Sequence, residues 1–300
     1  MLKMNTDHLQ RNAMAHSKDV VVTGVSTGIG WGTTKVLVAK GFRVFGSVRK
    51  QADADRLQKD FGNGFVPLIM DVTDVDAVHQ AAQKVGSMIG DRNLVGLVNN
   101  AGMVVSGPLL YLKPSEYRRQ LEVNMISPLV VIQAFASLLG TDKKKQGPSG
   151  RIVNISSTVA KVAIPLLGAY SSSKSGLEGM SDALRRELTL FGIEVVIIEP
   201  GTVNTAMYDK GEKEDLSEFK ETEYWEAVQN FQKFIVAEAR NNGLSPERLG
   251  EAVHLALSTA KPKARYAVVP QRFKNWTLPR LIPMRMVDDG LAKALGLTKP

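Results

Sequence analysis

Three side chains in the second half of the chain have types and spacings suited to moving a proton at a substrate oxygen: Ser157, Tyr170 and Lys174. Tyr170 and Lys174 are four residues apart, so on a helix they share one face a single turn apart. An ammonium beside a phenol favours the phenolate over a phenol whose ordinary pKa is near ~10. Such a tyrosine becomes a usable acid and base near neutral pH. A hydroxyl at Ser157 would hold the substrate oxygen while Tyr170 exchanges a proton with it. The implied chemistry is the interconversion of an alcohol and a carbonyl compound. A Lys one turn after a Tyr is also ordinary on solvated helix faces, so the pair gains meaning from a redox cofactor site elsewhere in the chain.

The elements that must position these groups follow from the hydrophobic pattern. Arg151–Ile155 is β-branched and apolar, as a buried strand is, and Ala169–Phe191 repeats apolar residues at helical steps. Further strands are predicted at Val20–Thr23, Arg43–Val48, Phe65–Met70, Leu94–Asn99, Glu194–Glu199 and Arg265–Val269. Helices are predicted at Gly30–Lys40, Ala52–Phe61, Val75–Ile89, Ser115–Leu139 and Pro246–Ser258. Several strands are unbroken apolar runs, expected where helices cover both faces of a sheet. The alternation predicts an α/β fold: a doubly wound, Rossmann-type parallel sheet of about seven strands in a single domain. The expected division is a polar arm over 1–18, a dinucleotide-binding and catalytic domain over 19–270, and a tail over 271–300.

Composition narrows the classes of function. The 300 residues are 44% hydrophobic, enough for a sizeable core, and contain no Cys. Disulfides, thiolate metal sites and Cys nucleophiles are therefore excluded, no metal site is expected, and a cytoplasmic location is the expectation. The apolar run Pro128–Leu139 reads as too short to span a bilayer. The net charge of +8 rests on scattered residues, with one basic run at Lys143–Lys145 inside a Gly/Pro-containing loop. No nucleic-acid motif accompanies it, so no nucleic-acid partner is expected.

Between the first strand and its helix lies Thr23-Gly24-Val25-Ser26-Thr27-Gly28-Ile29-Gly30. Glycines there let backbone N–H groups approach a pyrophosphate, which a helix N-terminus also favours electrostatically. The same stretch reads as Gly24-x-Ser26-x-Gly28, the form of a hydrolase nucleophile elbow. That rival would need a histidine, and His79 and His254 both fall in amphipathic helices.

Taken together, these marks resemble the short-chain dehydrogenase/reductase family over roughly residues 19 to 270. The matching residues are the glycine loop, Asp71 after the third strand, Asn99-Asn100-Ala101-Gly102 after the fourth, and Asn124 in the long helix. Ser157, the Tyr170-x-x-x-Lys174 pair and Pro200-Gly201-x-x-x-Thr205 complete the set. The resemblance implies that Tyr170 is the general acid and base and that Ser157 orients the substrate oxygen. It implies that Lys174 binds the nicotinamide ribose and tunes Tyr170, and that Asn124 holds a water in a proton relay. Asp71 would bond the adenine amino group, Asn99 would floor the cofactor site, and Thr205 would contact the carboxamide. Gly24, Ser26, Thr27, Gly28, Ile29, Gly30, Ser47, Val72, Ala101, Gly102, Pro200, Gly201 and Val203 would line the rest of the cofactor site.

The end of the second strand, Ser47-Val48-Arg49-Lys50, has no carboxylate for a ribose 2′-OH and offers a guanidinium at Arg49. A 2′-phosphate suits a bidentate Arg, so NADP(H) is the expected cofactor. No basic residue stands at Val25, Ser26 or Thr27, which leaves NAD(H) open as a second one.

The segment 206–243 collects Tyr208, Phe219, Tyr224, Trp225, Phe231 and Phe234, and Val228, Phe231, Ile235 and Ala239 recur at helical spacing. A helical lid over an apolar alcohol or carbonyl substrate is expected, or an insertion tied to the core by its aromatics. Leu244-Ser245-Pro246-Glu247 and Lys261–Tyr266 are similar to the retinol- and hydroxysteroid-acting branch of the family. The tail mixes Trp276, Leu278, Leu281, Ile282 and Met284 with Arg272, Lys274, Arg280 and Arg285. It would pack on the core, cover the pocket or lie on a membrane surface, and packing is the expected outcome. Small residues beside Tyr170, among them Ser171, Gly176 and Gly179, let another helix approach, and the resemblance implies a homodimer or homotetramer. A cofactor-binding protein without turnover is the other class of reading, and the intact proton-transfer set speaks against it.

Overall fold

A computed structural model describes residues 18–205 and 215–298. The polar arm therefore lies outside the described residues apart from Lys18, as do 206–214 of the expected lid, Tyr208 included. The strands are β1 (Lys18–Val22), β2 (Phe42–Val48), β3 (Phe65–Ile69), β4 (Gly96–Asn99), β5 (Arg151–Ile155), β6 (Glu194–Pro200) and β7 (Arg265–Val268). They form one seven-stranded sheet in the order β3-β2-β1-β4-β5-β6-β7, with every pairing parallel. The order reverses between β1 and β4, and a crevice opens there at the carboxyl ends of the strands.

Among the described residues the α-helices are α1 (Gly28–Ala39), α2 (Gln51–Phe61), α3 (Val75–Ile89), α4 (Pro114–Leu121), α5 (Ser127–Ala136), α6 (Gly168–Glu187), α7 (Trp225–Asn242), α8 (Pro246–Ser258) and α9 (Met284–Leu295). Successive strand side chains point to opposite faces, so each strand feeds two cores. Val20 and Val22 of β1 pack in one, with Leu37, Leu57, Leu249 and Val253 of α1, α2 and α8. Val21 packs in the other, with Val78 and Val85 of α3 and Val131, Ile132 and Phe135 of α5. Fully burying a side chain such as Phe135 or Leu97 stabilises by about 1.5–3 kcal/mol.

Two differences from the sequence-based expectation bear on the site. The helix predicted over Ser115–Leu139 is interrupted: between α4 and α5 the turn Glu122–Ile126 is π-helical, and after α5 the chain kinks at Gly140, whose φ is +122°. A sequence period cannot mark one extra residue per turn, and π turns concentrate at functional sites. The whole run Pro114–Thr141 has the length and composition of a membrane span, unlike the shorter Pro128–Leu139 stretch. Val131, Ile132 and Phe135 nevertheless face the sheet, so the run is a core helix. The second difference is the tail, which forms a π turn at Phe273–Thr277, a short 3₁₀ turn at Leu278–Arg280, and α9. A third apolar cluster, Leu166, Leu167, Leu216, Phe219, Val228, Phe231 and Leu295, joins α7 and α9 to the loop before α6, with Tyr170 packed against it.

Candidate active site

The loop from β1 to α1 is held by backbone geometry. Gly24 and Gly28 have φ of +69° and +61°, where a side chain would be strained. A Cβ at Gly30 would lie 2.2 Å from the Gly24 carbonyl oxygen, so only glycine lets the loop close on the helix start. Asn100 Nδ2 donates to the carbonyls of Thr23 and Gly24 at 2.8 and 3.0 Å. Thr23 Oγ1 accepts from the N–H groups of Asn100 and Ala101, both at 3.0 Å. Gly24 N–H donates to Ser47 Oγ at 2.9 Å, which ties the loop to β2 as well. The helix start itself is left open. α3 and α8 are capped by Asp74 and Ser245, whereas α1 has no side-chain cap and no acidic residue in its first turn. Its first N–H groups and the positive end of its dipole are available to a pyrophosphate.

Ser157, Tyr170 and Lys174 line the same cavity as this loop, a space of about 1150 Å³. α6 carries Tyr170 and Lys174 on one face, with Lys174 Nζ 5.8 Å from the centre of the Tyr170 ring. Lys174 is buried, and its Nζ donates to the Ile155 carbonyl at the end of β5 at 2.7 Å. Burial lowers its ammonium to about 8, while Glu178 one turn further on pulls toward the charged form. A lysine has three donors, so ribose hydroxyls find others besides the one held by Ile155. Ser157 Oγ accepts from Val159 N–H at 3.3 Å, which leaves its own proton to donate to a substrate oxygen. With the glycine loop and the uncapped α1, these groups fit a nicotinamide dinucleotide.

Most residues expected at the cofactor lie on the cavity wall: Gly24, Ser26, Thr27, Gly28, Ile29, Ser47, Arg49, Asp71, Val72, Ala101, Gly102, Pro200, Gly201, Val203 and Thr205. Arg49 is 75% exposed at the end of β2, its Nη1 3.9 Å from Asp71 Oδ2. Burial works against an ionised Asp71, but bonds from the Thr73 N–H and hydroxyl and the charge of Arg49 outweigh it, and its carboxyl is held below the usual range.

Three expected residues are placed differently. Gly30 acts from behind the wall, through the space it leaves. Asn99 is buried and is not on the wall: its Nδ2 donates to Asn154 Oδ1 at 2.8 Å, and the neighbouring Asn100 lines the cavity and secures the glycine loop. Strand parity explains the exchange, since β4 ends at Asn99 and the next residue is free to turn toward the loop. Asn124, in the π turn, is also behind the wall. Its Oδ1 accepts from Met103 N–H and its Nδ2 donates to Met103 O, both at 2.9 Å, and to Ser173 Oγ at 3.2 Å. The side chain is a clasp between α6 and the loop after β4.

The hydrolase elbow is corrected. Ser26 lies on the wall, but no described wall residue is a histidine, and the His254 ring packs edge-on against Phe42 at 5.9 Å.

The far end of the cavity gathers residues that no motif marks. Val159, Ile164, Leu167 and Leu216 meet Phe231, Phe234 and Ile235 of α7, with Trp276, Pro279, Val287 and Leu291 from the tail. α7 lies within the segment expected as a lid and lines the cavity, and the tail both packs on the third cluster and lines the cavity. Helical periodicity over 228–239 signals α7, and Val287, Leu291 and Leu295 recur at the same steps in α9. The small residues of α6 serve this chain in part: a Cβ at Gly176 would lie 2.3 Å from Met125 Sδ, while Gly179 has nothing within 4 Å.

Comparison with known proteins agrees with this geometry. An NADPH-dependent 3-dehydrocapnine reductase of Ornithobacterium rhinotracheale is 40% identical over 275 residues, covering 92% of this chain and 96% of that protein. A 17-beta-hydroxysteroid dehydrogenase type 6 of Bos taurus is 34% identical over 274 residues, covering 86% and 83%. The crystal structure of a short-chain dehydrogenase from Streptomyces avermitilis superposes with a TM-score of 0.73 at 26% identity, covering 93% of this chain and 96% of that one. The profile of the short chain dehydrogenase family matches residues 18–216, and with the glycine loop, Ser157, Tyr170 and Lys174 on one cavity the chain belongs to the short-chain dehydrogenase/reductase family.

Proposed function

We propose that this oxidoreductase uses NADP(H) to interconvert a lipophilic alcohol and its carbonyl compound, with reduction as the direction to test first. The observation that carries the reading is one cavity with Tyr170, Lys174 and Ser157 at its middle, a glycine loop at one end and apolar walls at the other. The nicotinamide supplies or takes the hydride. In reduction, Ser157 Oγ donates a hydrogen bond to the carbonyl oxygen and Tyr170 gives that oxygen its proton. The Lys174 ammonium favours the phenolate left behind and holds the ribose. Asn124 keeps Met103 and α6 in register behind them. Phe231, Ile235, Trp276 and Leu291 keep water from the reacting carbon.

NADP(H) is supported by the exposed Arg49 at the end of β2, where no acidic residue stands, and by the cofactor named for the Ornithobacterium relative. The apolar wall and the hydroxysteroid relative support the substrate class. A homodimer or homotetramer in the cytoplasm belongs to the same reading; the absence of Cys and the open face at Gly179 support it.

The test is NADPH oxidation with 3-dehydrocapnine, steroids, retinoids, long-chain ketones and small polar sugars. Turnover of one of the apolar classes is the expected result. Turnover confined to small polyols and their carbonyl forms would overturn the substrate class.

A further inference from the structure

We propose that the segment 272–286 docks the enzyme on an anionic lipid bilayer beside the mouth of its own cavity. Within these fifteen residues stand Phe273, Leu278, Leu281, Met284 and Met286, exposed from 40% at Leu278 to 73% at Leu281. Scattered exposed apolar residues are ordinary, but five large ones in so short a stretch are not. Among and beside them are Arg272, Lys274, Arg280 and Arg285, with no acidic residue from 272 to 286. Asp288 and Asp289 follow, and Asp288 lies 3.8 Å from Arg285, so the segment keeps a positive balance of two with both counted. Apolar side chains interleaved with cations are the composition of a surface that enters the headgroup region of a bilayer.

Charge decides among the occupants. A second copy meeting this segment across a two-fold axis would set cations against cations, because each patch would face itself. An anionic bilayer offers opposite charge to the cations and acyl chains to the leucines and methionines. The position suits the same occupant: the segment that exposes these residues also supplies Trp276 and Pro279 to the cavity wall, and α9 adds Val287 and Leu291. A lipid-soluble substrate would then pass from the bilayer to the catalytic residues without crossing water. The docking itself is independent of the substrate reading and is measured without turnover.

The experiment is co-sedimentation of the full chain with vesicles of phosphatidylcholine alone or mixed with phosphatidylglycerol, at low and high salt. Binding to the mixed vesicles, weaker in high salt and weak on phosphatidylcholine alone, is expected. Leu281→Ser with Met284→Ser should weaken partitioning at least about tenfold. Arg272→Gln with Arg285→Gln should weaken it about thirtyfold. Both double variants should keep the thermal midpoint of the parent, since these side chains are largely exposed. Absence of binding to mixed vesicles, or equal binding by parent and variants, would overturn the proposal. So would light scattering that shows an oligomer lost in the same variants, because a second copy would then be what covers the segment.

Discussion

The two ends of the cavity are built by different means. At the nucleotide end the wall is backbone: Gly24 and Gly28 at positive φ, with Thr23 and Asn100 bonded to the peptide groups of the turn. At the substrate end the wall is side chains from distant parts of the chain, such as Leu167, Phe231, Trp276 and Leu291. A backbone wall tolerates almost nothing added to it, while a side-chain wall changes its volume with each substitution. One end is therefore suited to holding a fixed cofactor and the other to being altered for different substrates.

Of changes at the two ends, the largest effect should come from filling the backbone wall. Gly30→Val puts a branched side chain where a Cβ alone would already sit 2.2 Å from the Gly24 oxygen. Cofactor affinity, followed by quenching of tryptophan fluorescence, should fall more than about a hundredfold, with about 1–3 kcal/mol lost from stability. Unchanged affinity would mean that the loop does not cradle a pyrophosphate. Arg49→Glu leaves that loop intact and reverses the charge at the end of β2. The ratio of kcat/KM for NADPH over NADH should drop about thirtyfold, as charge-assisted bonds to a phosphate are lost; an unchanged ratio would remove Arg49 from cofactor choice.

Between the two ends, pH reports on Lys174. Its pKa is lowered to about 8, so the ammonium is present below that pH and lost above it. For reduction by the free enzyme, kcat/KM should fall by about tenfold per pH unit above that point. A profile flat to pH 10 would separate Lys174 from the chemistry. Smallest is Ile235→Ala, which enlarges the side-chain wall. It should raise KM for an apolar carbonyl substrate about tenfold and leave cofactor affinity within twofold. Equal losses for substrate and cofactor would erase the distinction between the ends.

The same contrast explains what the sequence made legible. Thr23–Gly30, Ser157 and Tyr170/Lys174 were readable because local geometry dictates their residue types: only glycine fits the loop, and four residues make one helical turn. The strands were readable because burial on both faces leaves unbroken apolar runs such as Val20–Val22. Asn100 rather than Asn99 reaches the loop because one residue at the strand end decides which amide does. The bonds of Asn124 to Met103 and Ser173 depend on a π turn and a distant helix, so no local spacing announces them. Trp276, Val287 and Leu291 reach the cavity through tertiary packing of the tail: the helical spacing of Val287, Leu291 and Leu295 marks an apolar face but not what it packs on.

Single-turnover hydride transfer from bound NADPH in Tyr170→Phe is the most direct test of the proton exchange placed on α6. Removing one hydroxyl leaves the glycine loop, Lys174 and the apolar wall in place. The expected result is a rate about a thousandfold below that of the parent, with NADPH affinity within twofold. A rate within about tenfold of the parent, at equal cofactor affinity, would show that the substrate oxygen takes its proton from another group.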